Sequence, residues 1–376
     1  MITISAVAAG MLNGFSYQLH TRLQSYLGET VLAEDIPAVD VVEEADATLR
    51  VPERLTFKVP VTDDQGNSWV PTSYESPLGT YGQTIVAQVG ISVAAGAVEW
   101  LNRGTFLVES ADTSGDTVAV ECAGLLLLLD EAVLPNEYQP RAGATLGSIL
   151  RALIEPGITV DLDDAPTDRV APSNITWSDN RLDNVYGVLD AWPAQGTITA
   201  EGNLEVTAVP GDPTVNDVVF VFTDNTGGTV TDWNTSITRD GAFNSVYAKG
   251  QYPDTAGTKA GQEILAVAYD SAQTSPYRIG GPFSPYLVPF GYASPLLDTQ
   301  ARANLAASTR LKTLRRTSSK TVQFRAVPHP GIQLSDAVQL TSARLGLSAA
   351  LGRVEAFTLP DDAQGGAMAI TARLVG

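Results

Sequence analysis

Gly104-Thr-Phe-Leu-Val-Glu-Ser110, Asp112-Thr-Ser-Gly-Asp116 and Thr117-Val-Ala-Val-Glu121 together decide the fold class. Two runs rich in β-branched and apolar residues flank a short Gly-containing turn, a pattern that predicts a hairpin and therefore antiparallel β structure. Downstream, the five leucines Leu125 to Leu129 are too few to cross a bilayer and are expected to be buried, closing a first barrel or sandwich. Upstream, Leu49 and Val51, then Leu55, Phe57 and Val59, recur with period two on either side of Pro52 and predict two short half-buried strands. Asp63-Asp-Gln-Gly66-Asn67 turns the chain, and Ile85, Ala87 and Val89 predict a further strand. In the first forty residues, Leu19, Leu23, Tyr26 and Leu27 fit a short helix that stops at Gly28, and Glu34-Asp-Ile-Pro reads as a loop.

The middle of the chain changes period. Leu146, Ile149, Leu150, Leu153 and Ile154 form a helical stripe, with Thr145 placed to cap it and Pro156-Gly157 to end it. Leu182, Val185, Tyr186 and Leu189 repeat the spacing and Trp192 continues it, with Ser178 or Asp179 as cap and Pro193 as stop. Glu201-Gly202 between two β-prone runs predicts a hairpin. A second β region begins at Val218-Val-Phe-Val-Phe222 and resumes at 321–327, 353–359 and 367–374. Residues 250–295, rich in Gly, Pro, Ser and Tyr, read as a loop or partner-binding arm, and Asp298 is placed to cap a helix over 298–316 carrying Ala301, Leu305, Leu311 and Leu314 on one side. The fold class expected is mainly β with α+β insertions. It divides into an N-terminal segment (1–35), a first β domain (36–135), a helix-containing module (136–210) and a second β domain (211–376). The two similar β regions suggest a duplication.

The chain has 376 residues and a net charge of −19, which disfavours a general grip on nucleic-acid phosphates. The charge is uneven: residues 1–130 and 131–254 each carry a net −12, while residues 255–376 carry +5. The strip Arg302, Arg310, Lys312, Arg315, Arg316, Lys320 and Arg325 contains no acid. A solvated or internally paired face is favoured over a DNA-contacting strip, because no aromatic residue for base stacking is interleaved before Phe324. The single cysteine, Cys122, excludes an internal disulfide and a thiolate metal site and points to a reducing compartment. No signal peptide or membrane span is read, and Asn174-Ile-Thr and Asn234-Thr-Ser are taken as chance glycosylation matches.

No catalytic constellation stands out, and no catalytic, cofactor-binding or metal-ligating residue is assigned. The two histidines, His20 and His329, are far apart in sequence, the second in the rigid Pro328-His-Pro330, and no nucleophile elbow, nucleotide loop or zinc motif occurs. Asp161, Asp163, Asp164 and Asp168 do not fit a calcium loop, because Pro166 stands where the turn glycine would be. Trp192 is expected in the core, while Trp69, ahead of Val70-Pro71, is a candidate for an interface with a core role weighed equally.

Several segments resemble the tail-hub, or baseplate-hub, family of tailed bacteriophages, in the variety found in phages of actinobacteria. They are Trp69-Val-Pro-Thr-Ser-Tyr-Glu-Ser-Pro-Leu-Gly-Thr-Tyr-Gly-Gln83, Arg103-Gly-Thr-Phe-Leu-Val-Glu-Ser110 and Trp177 through Val206. Arg239-Asp-Gly-Ala-Phe-Asn-Ser-Val-Tyr-Ala-Lys-Gly-Gln251 and Pro330-Gly-Ile-Gln-Leu-Ser-Asp-Ala-Val338 complete the set. The resemblance implies two tube-like antiparallel β-barrels per subunit, flanking the helix-containing module. It further implies a homotrimer whose ring of six barrels joins a sixfold tail tube to a threefold tip. Implied partners are the tail-tube or distal tail protein, the tape-measure protein and the receptor-binding or other tip proteins. Genomic DNA would pass through without specific binding. No enzymatic activity, cofactor or membrane insertion is implied, and the expected location is the distal tail tip of the virion. Trp69, Arg310, Arg315 and Arg316 are the candidate interface residues, with acids from 40–130 and 200–255 expected to line the lumen. A carbohydrate-binding or carbohydrate-cleaving tip protein is the competing reading.

Overall fold

The computed structural model describes residues 2–12, 17–93, 96–172, 175–225, 228–236, 239, 241–254, 256–273, 275–317, 320–360 and 366–374, without the side chains of 236 and 315–317. The protein is mainly β with a small helical module, and most of its strand pairs are antiparallel.

After the short helix α1 (Ala6–Leu12), the first β half contains β1 (Leu19–Leu27), β2 (Thr30–Ala33), β3 (Val39–Asp46), β4 (Glu53–Pro60), β5 (Gln83–Ser92), β6 (Val98–Ser114) and β7 (Thr117–Gly124). Their hydrogen-bonded order is β3-β4-β7-β6-β5-β1-β2. The hairpin expected at 104–121 is β6–β7, closing with Ser114 opposite Thr117. Period-two burial makes these strands: Leu55, Phe57 and Val59 on β4, and Val118, Val120 and Cys122 on β7, point inward. Leu23 on β1 and Val41 on β3, near opposite ends of the strand order, share one apolar cluster with Phe57, Ile85, Phe106 and Val120. The sheet is therefore rolled around a single core.

Two local expectations are corrected here. Leu19 to Leu27 form β1, paired with β5 from Leu19↔Ile91 to Leu27↔Gln83, because Leu23 and Ser25 are buried on one face at strand spacing. The strand expected at 47–51 lies instead upstream as β3, where Val41 and Ala45 point inward among acids that masked the alternation.

The second half contains β13 (Val218–Thr223), β14 (Val230–Ser236), β18 (Thr321–Ala326), β19 (Ala337–Ser342), β20 (Leu347–Pro360) and β21 (Met368–Leu374). Their order is β14-β18-β21-β20-β19-β13, around a core that includes Phe222, Trp233, Phe324, Phe357 and Ile370.

Strand for strand, this order matches β3-β4-β7-β6-β5-β1. The registers match as well. Leu55 and Phe57 face Cys122 and Val120, as Val322 and Phe324 face Ala372 and Ile370. Val108 faces Cys122, as Val354 faces Ala372. Each long strand then shifts register across a glutamate, Glu109 in β6 and Glu355 in β20. The final pair differs: β1 runs antiparallel to β5, whereas β13 runs parallel to β19.

Between the halves sits the module, with helices α2 (Leu127–Asp130), α3 (Leu146–Ile154) and α4 (Arg181–Ala191) and strands β8 (Val133–Tyr138), β9 (Val160–Asp161), β10 (Trp177–Asn180), β11 (Ala194–Ile198) and β12 (Leu204–Ala208). Thr145 caps α3 in a reciprocal capping box with Ser148. Asn180, rather than Ser178 or Asp179, caps α4. Leu125, Leu126 and Leu129 are buried as expected, but in this module's core, against Leu146, Leu150 and Leu182, so they do not close the first barrel.

Residues 250–295 are not loop throughout. With Ser245–Gln251 (β15), Glu263–Tyr269 (β16) and Pro289–Ala293 (β17) they build a three-stranded sheet in the order β16-β15-β17. Helix α5 (Gln300–Thr317) lies on it, its Ala303, Ala306, Ala307 and Leu311 packed against Val246, Ala248, Ile264 and Ala266. The small residues let helix and sheet approach closely. The stripe is thus shifted from the one expected, and Leu305 is exposed. Thr299, not Asp298, accepts the helix's leading Arg302 N–H.

Candidate assembly surfaces

The halves are joined edge to edge. After its shift at Glu355, β20 leaves β19, and its residues Ala356 to Pro360 pair with Asp46 to Val42 of β3, making one 13-stranded sheet. A buried ion pair locks this seam. Arg103 of β6 donates from Nε to Glu43 Oε2 at 2.7 Å and from Nη2 to Oε1 at 2.6 Å. Its Nη1 donates to the carbonyls of Pro330 and Ile332 at 2.6 and 2.9 Å. The β18–β19 loop (327–336) is thereby pinned onto the first half. Tyr17 adds a hydroxyl hydrogen bond to the Pro328 carbonyl.

His329 in that loop packs edge-on against Phe220, with ring centroids 4.7 Å apart, and its Nδ1 accepts from the Gly331 N–H. Burial, reinforced by the Arg103 charge, lowers its pKa to about 4, so the ring is neutral at pH 7. Glu53, beside the same seam, has a pKa raised to about 7 by burial and by the neighbouring Glu43. Its Oε2 is buried without a hydrogen-bond partner among the described residues.

The corresponding β4–β5 loop (61–82) of the first half carries Trp69. The indole N–H donates to Asp63 Oδ2 at 3.2 Å, and the ring packs on the first core while remaining partly exposed. Buried Gln83 fixes the loop, donating to the carbonyls of Tyr74 and Ser76 at 2.6 and 3.0 Å and accepting from the Tyr81 N–H at 2.8 Å. Leu78 is fully buried, yet Tyr74 and Tyr81 are 60% and 70% exposed. The loop is an ordered platform for two aromatic side chains.

Arg310 turns inward to the chain's own Asp190 at 3.0 Å and lies over the Phe290 ring, tying α5 to α4. Arg302 pairs with Asp298. The side chains of Arg315 and Arg316 lie outside the described part of the structure.

Among the open strand edges of the described residues are those of β6 and β14. Beyond Val108, β6 pairs only with β7 among the described residues, leaving one side of Ser110 to Ser114 open. Among the described residues, β14 pairs only with β18, leaving its other side open. Neither edge contains lysine or proline, the residues that usually blunt such strands. Sequence reasoning missed both edges, as well as the Arg103–Glu43 pair. A glutamate at an inward position of a strand is the only local signal for the latter.

Clefts of about 460 and 540 Å³ flank the β11–β12 hairpin, and Gln195 lines both. Among the described residues, no histidine or cysteine lines either one. In the larger, Glu201 and Glu205 accompany Trp100, one face of which is covered by the Arg22 guanidinium at 4.0 Å. Burial raises the Cys122 thiol pKa and keeps it unreactive. No cluster suited to a metal ion and no helix long and apolar enough to cross a membrane occurs among the described residues.

No protein-family model matches the chain, and no curated protein matches it in sequence. Its fold is that of solved tail proteins. A tail protein from Neisseria meningitidis MC58 is similar over 94% of this chain and 96% of its own, with TM-score 0.61 and 11% identity. The 43 kDa tail protein of prophage MuSo2 from Shewanella oneidensis is similar over 95% and 98%, with TM-score 0.57 and 13% identity. The prophage tail protein gp18 from Listeria monocytogenes EGD-e is similar over 95% and 94%, with TM-score 0.55 and 10% identity.

Proposed function

We propose that this chain is a non-enzymatic structural protein of a bacteriophage tail, of the kind found in phages of actinobacteria. It acts as a hub at the distal end, where three copies make a ring of six similar barrels. The carrying observation is the repeated strand order, β3-β4-β7-β6-β5-β1 against β14-β18-β21-β20-β19-β13, with a matching shift at Glu109 and Glu355. A chain that presents two like barrels lets a threefold assembly imitate sixfold symmetry. The ring then docks on a sixfold tube on one side and offers threefold symmetry to the tip on the other. The tail-tube, tape-measure and receptor-binding proteins are its neighbours in this reading.

The charge distribution supports a passage for DNA. Acids from 40–130 and 200–255 line the lumen and repel phosphates, while the cations of α5 and β18 serve contacts away from it. Arg310 and Arg302, already paired with carboxylates of the same chain, suit that division. The test is a cryo-EM map of the tail, with light scattering on the purified chain. Three copies with both β halves at equal radius around the channel are expected. Halves at unequal radii, or Arg310 and Arg302 pointing into the channel, would overturn the proposal.

A further inference from the structure

We infer that a chloride ion binds between helices α4 and α5, on Arg310, Tyr292 and Arg169, and fastens the helix-containing module to the sheet that α5 covers. A cavity of about 30 Å³ lies there, bordered by Asp190 of α4, Tyr292 of β17 and Arg310 of α5, with room for an ion of that size. Arg310 Nε, Tyr292 Oη and Arg169 Nη1 are buried in this region without a hydrogen-bond partner among the described residues. Arg169 reaches it from the loop after β9. Its Nη2 donates to the carbonyls of Ala191, at the end of α4, and Leu296, just beyond β17, at 3.1 and 3.5 Å. A guanidinium has donors only, and a phenol can donate, so all three orphan groups call for an acceptor.

The charges around the cavity favour an anion over water. Arg310 is matched by Asp190, and Arg302 by Asp298. Asp190 borders the cavity, but Arg310 Nη1 at 3.0 Å offsets its charge. The Arg169 guanidinium is held by carbonyls and makes no ion pair among the described residues. Burial first, and then the Arg302 charge, push its pKa below the ordinary value, as befits a cation that lacks a counter-ion. One uncompensated positive charge beside three unused donors is the chemistry of a monovalent anion site. A chloride there offsets Arg169 and takes hydrogen bonds from α5, from β17 and from the loop after β9, so that one ion joins three segments.

The experiment uses the full chain. Urea midpoints are measured as sodium chloride replaces sodium gluconate at constant ionic strength, for the wild type and for Tyr292→Phe. Above the dissociation constant, each tenfold rise in chloride is expected to raise the wild-type folding equilibrium constant about tenfold. Tyr292→Phe keeps the ring and removes one donor to the ion, and is expected to bind chloride about tenfold more weakly. General salt effects act on both chains alike and cancel in this comparison. Crystals of the wild type grown in bromide are expected to show an anomalous peak within hydrogen-bond reach of Arg310 Nε. A chloride dependence shared equally by Tyr292→Phe would be a general salt effect and would overturn the site. Bromide crystals without a peak there would overturn it as well and leave the cavity to water. Should Tyr292→Phe fail to fold, the bromide peak alone decides.

Discussion

The Arg103 guanidinium lies flat against the Glu43 carboxylate in a two-point contact, with side chains only 2% and 11% exposed, where the two β halves meet. Arg103 belongs to β6, Glu43 to β3, and the carbonyls that take the remaining N–H groups belong to the 327–336 loop. One cation therefore holds three distant segments. Removing one partner strands the other charge in a low-dielectric site. Glu43→Ala is expected to cost about 3 to 5 kcal/mol, and the double replacement Arg103→Met/Glu43→Leu much less, because two buried apolar groups leave no orphan charge. A double-mutant cycle by urea unfolding measures the coupling. Equal losses in the single and double variants would show that the pair does not lock the seam.

Glu53 sets a pH dependence of its own. Its folded pKa of about 7 exceeds the ordinary 4.5, so the folded chain holds this proton more tightly than the unfolded one. Its contribution is fully favourable below pH 4.5 and is lost as the pH rises through 7. Glu53→Gln is expected to exceed the wild type in stability above pH 7, by up to about 3 kcal/mol, and to lose that advantage below pH 4.5. Urea midpoints at pH 4.5 and 8 test this. A pH-independent difference would refute it.

His329 acts in the opposite sense. Its folded pKa of about 4 lies below the ordinary 6.5, so the unfolded chain takes up the proton first. Stability from this group is complete above pH 6.5 and is lost as the pH falls through 4. The slopes of Glu53 and His329 offset each other between 4.5 and 6.5, so a flat wild-type curve hides both. His329→Asn is expected to leave a curve that falls with rising pH in that window, and NMR titration of the His329 ring should give a midpoint near 4. A midpoint near 6.5 would place the ring in water.

What the sequence disclosed follows from the range of the forces involved. Helix α3 was legible because its stripe, cap and Pro-Gly stop all lie within a dozen residues, and β6–β7 because a hairpin is a local object. β3 was hidden because Asp40, Glu43, Glu44 and Asp46 give an acidic run, and only the distant Arg103 makes the inward Glu43 tolerable. β1 was misread because Leu19, Leu23 and Leu27, which share one face of a strand, also fit helical spacing together with Tyr26, and the partner that decides, β5, begins at Gln83. The sheet formed by β15, β16 and β17 was missed because β15 and β17 pair in parallel across residues 252–288, a contact without a local signature. Trp69 drew attention by its type and its place ahead of Val70-Pro71, and Arg310 by its place in a basic strip without acids. Their hydrogen bond to Asp63 and ion pair to Asp190 come from the folded chain.

Gln83 gives the last prediction, on the order of the tyrosine-bearing loop. Its amide is fully buried and satisfies three backbone groups of the 61–82 loop at once: the carbonyls of Tyr74 and Ser76 and the N–H of Tyr81. A hydrophobic residue of similar size at 83 would leave all three without this partner, and each buried orphan costs about 1 to 3 kcal/mol unless the loop opens to water. Opening is the cheaper course, because the loop lies at the surface and its main apolar anchor is Leu78. Gln83→Leu is therefore expected to leave the global unfolding transition within about 1 kcal/mol of wild type while the loop loses local order. Amide exchange at Tyr81, whose N–H is held by Gln83, should accelerate at least tenfold over the wild type, and limited proteolysis should cut within 70–82. Unchanged exchange at Tyr81 would show that Leu78 alone orders the loop, and the tyrosine platform would then not depend on Gln83.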